Sequence, residues 1–286
     1  MIVRFYLHNI DPLEIHVIGE GGQCEYTYFT YKFDMMYFLT VFGTFVLPFI
    51  LAYYYWNKTT FFPSFRLGVV CFFLTQWIAR PIFLQVVGCL YSPMFSLFES
   101  VNAIVLGAVS AGIFEEVRRY LCWKKFRKEI KPSFKDAIAF GIGHASLEAV
   151  GGIGLSHIMS WKNLYSLDIS FRSMLIPLNR IMAGTCHVAL TLIVFYGLRK
   201  KIAQKQFTFI AIACHFFLDF IGGMIIYQYD YKQTFWGFSW AIENEDAFMF
   251  IYISLVLICA SLIIYLANKH FSKMEESESN QLSEEL

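Results

Sequence analysis

Apolar residues in this chain fall into blocks of about twenty or more, separated by short stretches bearing charge, proline or other polar side chains. Blocks of that length exceed what a soluble core helix needs and match a segment that crosses a bilayer. Seven are discernible, near 33–56, 65–91, 95–122, 134–160, 171–198, 207–229 and 247–268. At about 1.5 Å per residue each reaches across a hydrocarbon core of about 30 Å. The pattern predicts an all-α fold, a polytopic bundle of about seven transmembrane helices in the cell membrane. Three regions follow: an extracytoplasmic segment over 1–32, a helical membrane domain over 33–270, and an acidic cytoplasmic tail over 271–286. The tail's glutamates and serines predict a disordered, solvated chain.

Charge gives the bundle a direction. Lys and Arg cluster over 118–135 and 199–205, with Lys58 and Arg66 before the second span and Lys269 and Lys273 after the last. Those alternate connections hold sixteen basic residues, and the opposite set holds five: Arg4, Lys32, Lys162, Arg172 and Lys232. Positive residues stay in the cytoplasm. The N-terminus is therefore expected outside and the C-terminus inside, as an odd number of spans requires. A net charge of +1 gives no basic field, so no nucleic-acid partner is expected. The seven cysteines lie mostly within apolar blocks and imply no disulfide framework. Residues 1–20 lack the apolar core of a cleavable signal.

Ionisable residues inside a membrane span cost about 2.5–3.5 kcal/mol each on insertion scales, so a group of them calls for a reason. Span three ends in Phe114-Glu115-Glu116-Val117-Arg118-Arg119. Span four carries His144 and Glu148, span five Arg180 and His187, span six His215 and Asp219, and span two Arg80. Counted from the basic ends at the helical rise, His144, His187, His215 and Glu115 sit at about 15, 16, 12 and 10 Å. Four candidate groups from four helices thus share one layer. His144 and Glu148 lie four apart, as do His215 and Asp219, so each pair occupies one helix face. Glu115 and Glu116 are turned about 100° from each other, which lets one face a cavity while the other pairs with Arg119. Gly141, Gly143, Gly151, Gly152 and Gly154 predict close helix packing.

The order Glu-Glu-x-x-Arg, then Phe-x-x-x-His on the next span, then His-x-x-x-Asp two spans later, resembles the CAAX-processing and bacteriocin-processing (CPBP) superfamily of glutamic-type membrane endopeptidases. Within it the chain looks most like the YhfC-type intramembrane proteases, also labelled metalloproteases. The resemblance covers spans three to six. It implies that Glu115 and His144 activate a water, that Glu116 pairs with Arg119, and that His215 and residue 219 form an oxyanion hole. Two positions depart from the pattern. The arginine comes one residue early, and the expected asparagine is Asp219, whose carboxylate would repel an oxyanion.

The resulting expectation is an intramembrane endopeptidase acting on a peptide or membrane-protein segment, with Glu115 as base in a cavity in the cytoplasmic half of the bilayer. Catalytic candidates are Glu115, Glu116, His144, His215, Asp219 and Arg119. This mechanism requires no cofactor. The alternative is a zinc enzyme: no His-Glu-x-x-His motif is present, but His144, Glu148, His187, His215 and Asp219 offer suitable N and O donors. Intramembrane acids and histidines also build carriers, and an immunity-type membrane protein keeps such a fold without turnover. The sequence sets no oligomeric state.

The charge asymmetry predicts that a cysteine placed in 124–131 reacts with membrane-impermeant maleimide only after lysis, while one in 233–243 reacts in intact cells. Labelling of both from the same side would remove a span from this topology.

Overall fold

The computed structural model describes residues 14–18, 24–28, 41–58, 60–90, 101–154, 171–200, 203–231 and 245–284. Most of the N-terminal segment and residues 232–244 of the connection after the sixth span lie outside these residues. Among them are seven helical segments. α1 spans 41–57, with a π-helical turn at Phe42–Val46 leading into Leu47–Asn57. α2 spans 62–90 and carries a π-helical stretch, Phe73–Ala79, between Phe62–Phe72 and Arg80–Leu90. α3 is Val101–Phe126, and α4 runs over 134–154 as Phe134–Glu148 followed by a π-helical end, Ala149–Gly154. α5 is Phe171–Lys200, α6 Gln204–Tyr231 and α7 Glu245–Glu284. A two-stranded antiparallel hairpin, β1 (Glu14–Ile18) with β2 (Cys24–Tyr28), precedes them, so the fold is a helical bundle with one small β element that the hydropathy pattern does not foresee.

Among the described residues, four stretches are long and apolar enough on their own to cross a membrane: Phe62–Val87, Pro177–Lys200, Gln204–Ile225 and Ala247–Gln281. The last turns Leu255, Ile258, Leu262 and Tyr265 outward, as a lipid-facing helix does. α3 and α4 are less apolar because they carry the acids, arginines and small residues around which the others pack.

Consecutive helices alternate in direction, and polar clamps fasten one end of the bundle. There α4 begins with a reciprocal cap: Ser133 Oγ accepts from Asp136 N at 3.1 Å, and Asp136 Oδ2 accepts from Ser133 N at 3.2 Å. Ser64 Oγ of α2 donates to the same carboxylate at 2.5 Å, and Tyr120 Oη of α3 donates to Gln204 at the start of α6. This is the end that bears the basic connections. α7 does not dissolve into a disordered tail here. It continues as helix to Glu284, because Arg199 donates to Glu278 at 2.9 Å and lies 3.5 Å from Glu275, while Lys131 donates to Glu278 at 3.0 Å. Glutamates that read as solvating in sequence pair with the basic end they fold against.

Inside a membrane no hydrophobic effect drives helices together, so close packing must do so. Glycines provide it at three places. A Cβ on Gly68 of α2 would collide with the carbonyl oxygen of Phe140 and lie 2.9 Å from His144 N; one on Gly143 of α4 would collide with Phe65 O. A Cβ on Gly141 would fall 2.7 Å from Val188 Cα, drawing α4 against α5 beside His187. A Cβ on Gly112 of α3 would fall 2.9 Å from Ile212 O and 3.7 Å from His215 Cβ on α6. Each close approach lies within a turn of one of the three buried histidines. Just below them, toward the basic end, Trp123, Phe140 and Phe195 form a sealed aromatic layer with ring centroids 4.5 and 5.3 Å apart.

Gly143→Val should lower the SDS-unfolding midpoint by the cost of overpacking, about 1–3 kcal/mol or more. Gly43→Ala, where nothing lies within 4 Å of the added carbon, should leave it unchanged. Equal midpoints would remove the close approach as a constraint.

Candidate active site

Glu115 stands at the centre of a cluster drawn from five helices. Its Oε2 lies 2.9 Å from His144 Nε2 (α4), 3.9 Å from His187 Nδ1 (α5) and 3.8 Å from His215 Nε2 (α6). Its Oε1 accepts from the side-chain amide of Gln76 on α2. Glu115 and the three histidines are each at most 6 % exposed. The sequence expectation that Glu115, His144 and His215 converge therefore describes the geometry found.

Glu116 faces away from that point, as the 100° helical turn requires. Arg119 Nη1 donates to its Oε2 at 2.9 Å, and His215 Nδ1 lies 2.8 Å from its Oε1. Both Glu116 and Arg119 are fully buried. Arg119 also sends Nη2 to His187 Nδ1 at 3.2 Å. A guanidinium has no acceptor, so Nδ1 of His187 carries a lone pair and the ring proton sits on Nε2. That nitrogen lies 2.5 Å from Glu148 Oε2, and Arg180 Nη1 balances Glu148 at 3.3 Å. The spacing of His144 and Glu148 places them on one helix face, yet Glu148 reaches His187. Asp219 lies 3.7 Å from His215 Nε2, with 44 % of its side chain exposed.

Three participants had no motif. His187 matches none of the ordered sequence signatures, yet it holds the middle of the cluster, its ring 4.6 Å from that of His144 and 5.7 Å from that of His215. Gln76 lies in the π-helical part of α2, a local widening that often marks functional positions. Phe72, one turn before it, sets its ring edge-on to His144. The available signal for Gln76 was its position four residues before the intramembrane Arg80, on the same face.

A cavity of about 560 Å³ opens from the cluster, within the range of ligand sites. Glu115, His187, His215 and Asp219 line its floor, and Arg80, Gly107, Gly223 and Tyr252 its upper wall. All of that wall lies farther from the basic end than Glu115, and the aromatic layer closes the other side. The cavity thus leads away from the basic connections rather than toward them. A larger apolar cavity of about 700 Å³, between α1, α4 and α5, holds none of the clustered acids or histidines.

A family model described as YhfC intramembrane metalloprotease matches residues 43–170 and 159–244. The chain belongs to that family. The matched residues contain every member of the cluster. The curated protein described as "Uncharacterized membrane protein YhfC", from Bacillus subtilis (strain 168), is 46% identical over 54 residues, which are 19% of this chain and 20% of the relative. The alignment thus spans one fifth of that relative. No solved structure matches the chain. The chain is a multi-pass membrane protein of a protease family. The family's description names metalloproteases, and the glutamic-type, CAAX-related placement that the motifs suggested finds no support in it.

The ion pair of Glu116 and Arg119 holds α3 to α5 and α6 through two histidines, and removing one partner strands the other. Glu116→Ala should therefore lower the unfolding free energy in detergent by about 3–5 kcal/mol. Glu115→Gln, which keeps the shape and an acceptor oxygen, should cost less. The reverse order would exchange their assigned roles.

Proposed function

We propose that this protein is a zinc-dependent intramembrane endopeptidase whose metal is held by Glu115, His144 and His187, with His215 beside them. One observation carries the reading: donor atoms of Glu115, His144 and His187 lie within 4.8 Å of one another, and all three residues are buried. The donor set, two imidazoles and a carboxylate, is that of catalytic zinc. Ligands of a tetrahedral zinc centre with bonds of about 2.0–2.1 Å stand about 3.4 Å apart, and the separations of 2.9 Å to His144 and 3.9 Å to His187 from Glu115 Oε2 bracket that value.

The outer nitrogens support the same reading. A metal-ligating histidine commonly gives its other N–H to a carboxylate, which fixes the tautomer and raises ligand basicity. His215 Nδ1 meets Glu116 in this way at 2.8 Å, and a Glu148 oxygen stands 2.5 Å from His187 Nε2. His215 Nε2 is thereby turned toward Glu115, while the His187 Nδ1 lone pair accepts from Arg119. For His187 Nδ1 to hold the metal, Arg119 Nη2 would have to leave that nitrogen, and its Nη1 pairing with Glu116 would remain to hold it.

Bound there, zinc supplies the Lewis acidity that polarises a peptide carbonyl. The rest belongs to the chain. Gln76 fixes the rotation of Glu115 through its amide. Asp219, exposed to the cavity and beside His215, is the carboxylate placed to take a proton from water and return it to the leaving amine. The aromatic layer of Trp123, Phe140 and Phe195 keeps bulk water from entering at the basic end. The substrate is a peptide or membrane-protein segment that reaches the site through the cavity.

A second reading rests on Arg119, which occupies the His187 lone pair that the metal requires. In it no metal takes part, and Glu115 is the base for water, assisted by His144 at 2.9 Å.

The two separate on metal content. Purified protein should retain close to one zinc per chain by mass spectrometry. His144→Ala and His187→Ala should lose it, and Glu148→Gln should bind it about 10–100-fold more weakly. A chelator should abolish peptide cleavage, with recovery on adding zinc. Full cleavage by protein stripped of zinc would sink the metal reading in favour of the glutamate one.

A further inference from the structure

Arg80 is an intramembrane cation whose partners are all neutral among the described residues. Its Nε donates to Ser110 Oγ at 3.1 Å, Nη1 to Gln76 Oε1 at 2.8 Å and Nη2 to Gly107 O at 2.9 Å. A guanidinium has five N–H groups, so two remain beyond these three bonds. Arg80 lines the cavity above the cluster, on the side away from the aromatic layer. By contrast Arg119 is matched by Glu116, and Arg180 by Glu148.

Charge around the cavity follows the same division. Its lining carboxylates are Glu115, Glu148 and Asp219, and its lining guanidiniums are Arg80 and Arg180. With a divalent cation in the cluster, as the proposed function has it, one positive charge is left over. Arg80 is the group without an acid. A charge in low dielectric is stabilised by an opposite charge delivered to it, and a guanidinium binds a carboxylate through two parallel N–H donors.

Distance then limits where that anion lies on a substrate. The Gln76 amide bridges Arg80 and Glu115, so the guanidinium is about 7 Å from the Glu115 carboxylate, two hydrogen bonds and an amide away. An extended peptide advances about 3.3–3.6 Å per residue. A carboxylate about two residues from the scissile bond therefore reaches Arg80 while the bond lies at the cluster. We propose that Arg80, held by Gln76, Ser110 and Gly107, is a subsite for a peptide carboxylate, either the substrate's C-terminal α-carboxylate or an acidic side chain at that spacing. Specificity set this way penalises a neutral analogue, because the half-buried cation is left without a counter-charge.

The test uses the full-length protein in phosphatidylcholine nanodiscs and three fluorescent apolar peptides of one sequence. One ends in a free acid, one in an amide, and one in an amide with Asp two residues before the end. Binding is read by anisotropy with zinc present and after chelation. At least one carboxylate peptide should bind about tenfold or more tighter than the plain amide, as a charge-assisted pair predicts. Arg80→Gln should bring the three within about twofold, and Arg80→Lys should keep part of the preference. Preference for the free acid alone assigns the site to the chain end, and preference for the Asp peptide assigns it to a side chain. Equal binding of all three to the wild-type protein overturns the proposal without any variant. So does a preference that survives in folded Arg80→Gln, or one that disappears because phosphatidylglycerol added to the nanodisc competes at Arg80. A protein that binds no zinc yet keeps the Arg80-dependent preference overturns the metal reading and supports the subsite.

Discussion

Two adjacent carboxylates are buried in a bundle core, and the surrounding structure follows from their need for partners. Glu115 and Glu116 leave α3 at right angles, so their demands are met by different groups. Glu116 takes Arg119 and His215; Glu115 takes Gln76, His144 and the edges of His187 and His215. The enclosure therefore recruits α2, α4, α5 and α6 together. Removing either Glu116 or Arg119 leaves the other as a buried charge without its ion-pair partner, which is costlier than the pair itself is favourable.

Charges arranged in this way need helices that come closer than ordinary side chains allow. The glycines at 68, 112, 141 and 143 supply that closeness beside the histidines they bring together. Packing and electrostatics thus serve each other: the polar cluster gives the helices a reason to meet, and the glycines let the imidazoles reach one carboxylate. The aromatic layer beneath makes the cluster the floor of a cavity rather than the middle of a channel.

The outer ring of carboxylates gives the cluster its chemical character. Three imidazoles surround one carboxylate, and acids stand beside the far nitrogens of two of them, His187 and His215. Such an arrangement fits a cation better than a proton alone, and it fits a family described as metalloproteases.

Much of this was legible in the chain itself. The apolar blocks locate all seven helices, and the second to sixth to within about six residues of their described bounds, because a bilayer imposes both length and composition on anything that crosses it; the seventh runs on to Glu284, past the end of its apolar block. The depth of Glu115, His144, His187 and His215 follows from the fixed helical rise, and the division of labour between Glu115 and Glu116 from the fixed turn per residue. Other features are relations between helices, which periodicity does not encode. Glu148 was four residues from His144 and served His187; Gln76 carried no motif and held Glu115; the tail glutamates looked solvated and found Arg199. The hairpin at Glu14–Ile18 and Cys24–Tyr28 depends on a pairing that a hydropathy scan does not see. The direction in which the cavity opens was decided by three aromatic side chains from three helices meeting on one side of the cluster. Sequence fixed depth along each helix axis, because that is local geometry. Which neighbour a side chain meets, and on which side space is left, depends on how the axes pack, and only the tertiary structure decides that.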